Sequence, residues 1–353
     1  MSHTPKPNPA LRAHKQLIGD QCERCLYCHG LHITREGKRY KKLETVQLWR
    51  CHDCERVFTP QTAKGKTFPL AVILDALMRY YRGETRHQVA TYIKERFGLT
   101  VRSRTLSQWL AEYRPLTTYA RLRPALLPHF RPHQLIRSTR LHHQQVYHYR
   151  IHQGKLAHLL SHAEHHTFQP IETYLTEMVA SCPHPLFQQE HRASASASAF
   201  DLRGVAIAEK QNLAPRIAGL VLQTVTHNKR RHDTLQRFML ATDSVTVAIE
   251  VPVYLTSEDI DYMQRERGFA IPLSSDVTLT GHIDLLQIRN GRMHILDYKP
   301  NAVREKPITQ LMVYALALSR RTGLRLYDFV CAWFDERHYF EFFPLHVVHK
   351  RQR

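Results

Sequence analysis

Asp284 ends the run Gly281-His282-Ile283-Asp284, and Asp297-Tyr298-Lys299 follows it. Asn290-Gly291 lies midway, between two apolar-rich runs, and reads as a two-residue hairpin turn. With that turn as the whole loop, residues whose numbers sum to 581 face each other, and Asp284 stands opposite Asp297. Two like charges so placed repel. A divalent cation would remove the conflict, because hard cations take carboxylate oxygens. Lys299 lies two residues beyond Asp297 and projects from the same face. The arrangement suits a metal and a negatively charged substrate.

Further elements are needed to hold that hairpin. Val245 to Tyr254 reads as a strand and contains Glu250. Thr278 to Ile288 and Met293 to Tyr298 form the hairpin. Pro307 to Ser319 is helical, which sets Gln310 and Tyr314 on one face. Leu326 to Phe334 and His338 to Phe343 are further strands.

This order, with Asp284, Asp297, Lys299, Gln310 and Tyr314, resembles the RecB-like branch of the PD-(D/E)XK nuclease superfamily over roughly residues 205–345. The resemblance implies an α/β restriction-endonuclease-like core. It implies Asp284 and Asp297 as ligands of Mg²⁺ or Mn²⁺, with a backbone carbonyl after Asp297 as a third. Lys299 and the metal would activate water and stabilise the scissile phosphate. Glu250 would bind metal directly or through water, and Gln310 and Tyr314 would position DNA or the lysine. Members often add an upstream helical histidine; His227 is preferred here over His232. Only Cys182 and Cys331 lie outside the N-terminal cysteine group, so the iron–sulfur cluster of some members is not expected.

Cys25-x2-Cys28 and Cys51-x2-Cys54 have the spacing of a tetrahedral Zn²⁺ site. Cys22-x2-Cys25 offers a second register. Cys25 and Cys28 are preferred, because Gly30 follows closely and eases the turn. Seven cysteines, five of them before residue 55, suit metal ligation in a reducing compartment better than disulfides. Trp49 to Thr59 resembles the zinc ribbon at the N-terminus of insertion-sequence transposases.

Val72, Ile73, Ala76, Leu77 and Tyr80 recur at helical spacing, and Gly83 stops the helix. Val89, Ala90, Ile93 and Phe97 mark a second helix closed by Gly98, and Ser103 reads as the N-cap of a third. Three short helices describe a helix-turn-helix. Leu106, Trp109 and Leu110 would face inward, while Arg104, Thr105, Ser107 and Gln108 would face DNA.

Between Glu112 and Glu164 there is no acidic residue, but Arg114, Arg121, Arg123, Arg131, Arg137, Arg140, Arg150 and Lys155 are present with eight histidines. A one-signed stretch predicts contact with nucleic-acid backbone, with Arg137, Arg140 and Arg150 as leading candidates. The histidines read mostly as neutral surface or polar filling.

The chain has 353 residues, 43% of them hydrophobic, and a net charge of +19, which favours a polyanionic partner. It has no apolar run long enough to span a bilayer and no secretory signal pattern. The expected architecture is multidomain α+β: a tail at 1–20, a ribbon at 21–62, a helix-turn-helix at 63–115, a basic His-rich connecting region at 116–204 and the nuclease-like domain at 205–353. Ala193 to Ala199, alternating Ala and Ser, reads as a linker or variable loop. The expected activity is Mg²⁺- or Mn²⁺-dependent DNA cleavage in a mobile-element or genome-defence setting, in the cytoplasm near the nucleoid. A separate transposase or recombination subunit would be a partner, and no membrane is involved. The alternatives are a non-catalytic DNA-binding regulator on a nuclease scaffold and an RNA-directed enzyme.

Overall fold

Contacts divide the chain into two units in the computed structural model: residues 1–115 with 219–234, and residues 116–218 with 235–353. The structure describes residues 17–18, 22–40, 45–60, 67–188, 191–195, 200–225, 230–273 and 278–349.

In the first unit, β1 (Leu17–Ile18), β2 (Ile33–Tyr40), β3 (Thr45–Cys51) and β4 (Val57–Phe58) form a small sheet around β3. Among the described residues its buried cluster is Cys25, Trp49, Cys51 and Phe58, with Cys22, Ile33 and Cys54 packed against it. Next come α1 (Leu70–Tyr81), α2 (Arg86–Phe97) and α3 (Ser103–Glu112). Thr85 and Gln88 make a reciprocal capping box at the start of α2, and Gly98 ends it with φ 67°. The cap of α3 differs from expectation: Arg102 holds the N-cap position without a side-chain bond, and Ser103 is the first helical residue.

The second unit is built on an eight-stranded sheet, β5-β6-β8-β9-β10-β11-β12-β7. Its strands are β5 (Ile136–His143), β6 (Gln145–His152), β7 (Ala208–Glu209), β8 (Thr246–Leu255), β9 (Leu279–Arg289), β10 (Arg292–Tyr298), β11 (Phe329–Phe334) and β12 (Tyr339–Phe342). Its longer helices are α4 (Gln153–Leu160), α5 (Gln169–Ala180), α6 (Leu213–Val221), α7 (Arg231–Thr242), α8 (Ser257–Arg267) and α9 (Ile308–Thr322), with α6 and α7 each crossing a unit boundary. β10 and β11 pair in parallel within this sheet, and α9 makes the crossover that a parallel pair requires. Apolar residues run round much of α9, and nearly all of Ile308 to Leu318 is buried against β8, β10 and β11.

The segment 116–204 is not a connecting region. It supplies β5, β6, α4 and α5, and Leu141, Tyr149, Ile171 and Leu175 join the same core as α9. Two buried tyrosines fix α5: Tyr149 Oη donates to Leu175 O at 2.8 Å and Tyr174 Oη to Pro252 O at 2.7 Å. Ala193–Ala195, where a linker or variable loop was expected, form a short turn with Ala193 buried; residues 196–199 lie outside the described residues, as does most of the 1–20 tail.

Lys155 also departs from expectation. It is fully buried, with Nζ donating to Asp243 O at 2.9 Å and lying 3.5 Å from Asp243 Oδ1. A side chain so placed does not reach a phosphate. His143 and His152 are interior, in the polar-filling role that the sequence also offered for the histidines.

Candidate active site

The hairpin forms in the expected register. Asn290 and Gly291 have φ of 51° and 64°, the paired positive values that a type I′ turn demands. Pairing runs from Arg292↔Arg289 to Leu296↔Leu285, and Asp284 and Asp297 stand one step further along. The expected conflict between the two carboxylates is met partly by the protein. Asp284 Oδ2 accepts a hydrogen bond from Tyr298 N at 3.1 Å, and Lys299 Nζ lies 2.8 Å from Asp297 Oδ2.

Gln310 closes this group from α9. Its Nε2 donates to Asp297 Oδ1 at 3.0 Å and to Tyr314 Oη at 3.1 Å, while its Oε1 accepts from Lys299 Nζ at 3.4 Å. One amide therefore bridges the carboxylate, the ammonium and the phenol. Its orientation follows from chemistry, since lysine only donates and an ionised carboxylate only accepts. Asp297 and Tyr314 are buried, while Asp284, Lys299 and Gln310 are half-buried. Burial works against the charge on Lys299, but the neighbouring Asp297 and the more distant Asp284 prevail and raise its pKa. Burial, helped by Asp297, raises that of Tyr314 well above the phenol range. At neutral pH Lys299 is thus a cation and Tyr314 a neutral phenol.

Glu250 is half-buried on β8 with φ 53°. A non-glycine residue in that region is uncommon and often marks a functional site. The flanking pairs Ile249↔Leu285 and Val251↔Ile283 put it level with Asp284. Two residues on, Pro252 lacks an N–H, and β6 pairs with β8 only at Ala248 and Ile249. The strand thus bends where its outer side is unpaired, which is where proline is tolerated.

Two neighbours were not picked out from sequence. Gly281 packs under Tyr314, and His282 is buried with its ring stacked on Tyr147 at 3.5 Å between centroids. The Gly-His-Ile-Asp run contained both residues, but their partners lie far away in sequence.

Of the remaining candidates, His227 lies outside the described residues, and His232 is half-buried near the start of α7. Cys25, Cys28, Cys51 and Cys54 converge, their sulfurs all within 4.8 Å of one another, and Cys22 stays outside the group. His29 and Glu55, each following the second cysteine of a pair, have φ of 60° and 57°. Gly30 is needed for more than a turn: a Cβ there would sit 1.8 Å from Asp53 Oδ2. Arg104 and Gln108 are exposed on α3, and Thr105 and Ser107 are half-buried. Ser107 Oγ donates to Ser103 O and accepts from Arg86 at 2.6 Å. Arg137 and Arg140 are exposed on β5, and Arg150 is half-buried on β6.

The sequence pattern of the PD-(D/E)XK nuclease superfamily matches residues 132–333, more than half of the chain. The chain belongs to this superfamily. The match begins ahead of β5 and takes in β5 and β6, so this nuclease fold starts well before residue 205. Members of the superfamily are in general nucleases that hydrolyse phosphodiester bonds. No curated protein and no solved structure matches the chain. Among the described residues of this superfamily member, no helix is long and apolar enough to cross a membrane.

Proposed function

We propose that the chain is a divalent-metal-dependent deoxyribonuclease of the RecB-like branch, with an N-terminal zinc ribbon and helix-turn-helix that hold its DNA. The observation that carries this reading is the Asp297–Lys299–Gln310 set, bonded together beside Asp284 within a PD-(D/E)XK fold. Asp284, Asp297 and Glu250 lie on adjacent strands, and their carboxylates are the hard oxygen donors that Mg²⁺ or Mn²⁺ would take. Bound there, the metal would acidify a water and offset charge on the phosphate. Lys299 would act with the metal to orient and activate the attacking water and to stabilise charge on the scissile phosphate. Gln310 holds Lys299 and Asp297 in register, and Tyr314 backs Gln310. The ribbon and helices favour a cytoplasmic mobile-element or genome-defence role beside a separate strand-transferring subunit.

The test is cleavage of circular and linear DNA, single- and double-stranded, with Mg²⁺ or Mn²⁺, comparing wild type with Asp297→Ala and Lys299→Met. Metal-dependent cutting that both substitutions abolish, with DNA binding retained, is the expected result. Equal cutting by wild type and variants would remove the assigned site. Binding without cutting by any of the three would favour a regulator on a nuclease scaffold.

A further inference from the structure

A second group of ligating side chains lies apart from the carboxylates. His143 ends β5, Cys182 follows α5, and His184 opens the single-turn helix His184–Gln188. Their ligand atoms all lie within 4.8 Å of one another. His143 Nε2 is 2.9 Å from His184 Nδ1 and 3.8 Å from Cys182 Sγ. Zinc bonds of about 2.0–2.1 Å to nitrogen and about 2.3 Å to sulfur require ligand atoms separated by roughly 3.3–3.7 Å in a tetrahedron. The group is already close to that spacing and needs only a small opening of the histidine pair.

Its surroundings are those of a ligand site. Cys182 and His143 are buried, and His184 is exposed, which leaves one side open to water as a fourth ligand. Phe187 stacks on His143 with centroids 4.1 Å apart and planes 13° apart, fixing the ring. The other nitrogen of His143, Nδ1, is 2.9 Å from His282 Nε2. A metal-bound histidine characteristically uses its second nitrogen in such an outer bond. Without a metal, three imidazoles share a row with no carboxylate among their hydrogen-bond partners in the described residues. The third cluster of this kind, His162, Glu164 and His165, exposes 59% of its glutamate side chain and lacks that enclosure.

We propose that His143, Cys182 and His184 bind one zinc ion, which fastens β5 and the turn at His184–Gln188 to β9 through His282, two residues from Asp284. One thiolate and two neutral imidazoles suit zinc and not magnesium. The Cys182 proton leaves to solvent as the Zn–S bond forms. This site is distinct from the four cysteines and does not depend on the nuclease reading.

The experiment counts zinc per chain in the full-length protein after dialysis into metal-free buffer. Wild type is compared with Cys182→Ser and His184→Asn. The four-cysteine site contributes equally to all three proteins, so the difference is the readout. Each variant is expected to hold one zinc fewer than wild type. Cobalt-loaded wild type minus cobalt-loaded Cys182→Ser should also retain a thiolate-to-cobalt absorption band. An unchanged zinc count in both variants overturns the proposal. His184 is exposed, so His184→Asn decides the matter even if Cys182→Ser does not fold.

Discussion

Gly281 lies so close beneath Tyr314 that a Cβ on the glycine would stand 2.4 Å from Cε1 of the ring and 2.7 Å from its hydroxyl oxygen. The contact sets the height of α9 above β9. It therefore sets where Gln310, one turn earlier, meets Asp297 and Lys299. Gly281→Ala forces either the ring or the helix outward. Overpacking of this kind costs about 1–3 kcal/mol. The expected result is a lower denaturation midpoint together with a drop in DNA cleavage larger than the loss of folded protein explains. Adding Tyr314→Ala, which removes the ring, should restore part of the stability. Additive losses in the double variant would show that the two residues do not meet in solution.

How far this group can be read from sequence depends on the range of each contact. Asn290-Gly291 and alternating apolar residues specify the hairpin locally, so the opposition of Asp284 and Asp297 follows from counting. The Gln310–Tyr314 pair follows from helical spacing. The Gly281–Tyr314 contact and the bend at Glu250 are different, since each depends on how a helix or strand far along the chain settles. The basic stretch misleads for the same reason. Lys155 counts as surface charge until its partner Asp243 is known, and the β5–β6 hairpin over residues 136–152 counts as a connection until its two pairs with β8 join it to the large sheet.

Lys155 should make stability depend on pH in an unusual direction. Burial opposes its charge more than Asp243 supports it, pushing its pKa down to about 8 from an ordinary 10.5. Below about 8 both folded and unfolded chains carry the proton, and the folded chain bears the full burial cost. Between these values only the unfolded chain holds the proton, so this group's contribution to stability rises with pH. Lys155→Met together with Asp243→Asn removes both buried charges and should be neutral or stabilising by about 1–4 kcal/mol at pH 7. Its advantage over wild type should shrink by pH 10. An advantage that stays constant, measured by urea midpoints across this range, would contradict the account. Asp243→Ala should instead cost about 3–5 kcal/mol, since it strands the lysine and frees the backbone N–H groups of Val245 and Thr246, which Asp243 Oδ1 accepts at 2.9 and 2.6 Å.

The four N-terminal cysteines should hold their small sheet together only with metal. Cys25 is buried, and although burial raises its pKa, backbone bonds from Cys28 and Tyr27 and the adjacent thiols bring it down to about 7, while the same thiol contacts push Cys28 up to about 12, so zinc must displace protons from the group. Zinc in sites of this type supplies about 10–16 kcal/mol of apparent binding free energy. Chelation of zinc, or Cys51→Ser, should expose the amides of β2 and β3 to rapid hydrogen exchange. The central strands β8 to β11 should keep their protection. Protected β3 amides after complete zinc removal would show that the sheet folds without the ion.

Arg137 and Arg140 stand exposed on β5 at the edge of the large sheet, whereas Lys155 from the same basic stretch is interior. If the stretch grips DNA, its exposed arginines contribute and the buried Lys155 does not. Each phosphate contact steepens the fall of log affinity with log salt by about 0.9. Arg137→Ala with Arg140→Ala should therefore flatten that slope by about 2 and weaken binding most at low salt. Lys155→Met should leave the slope unchanged while altering stability. Fluorescence anisotropy on one duplex over a salt series distinguishes these outcomes. A slope that responds to Lys155 and not to the arginines would mean that the chain meets DNA on another face.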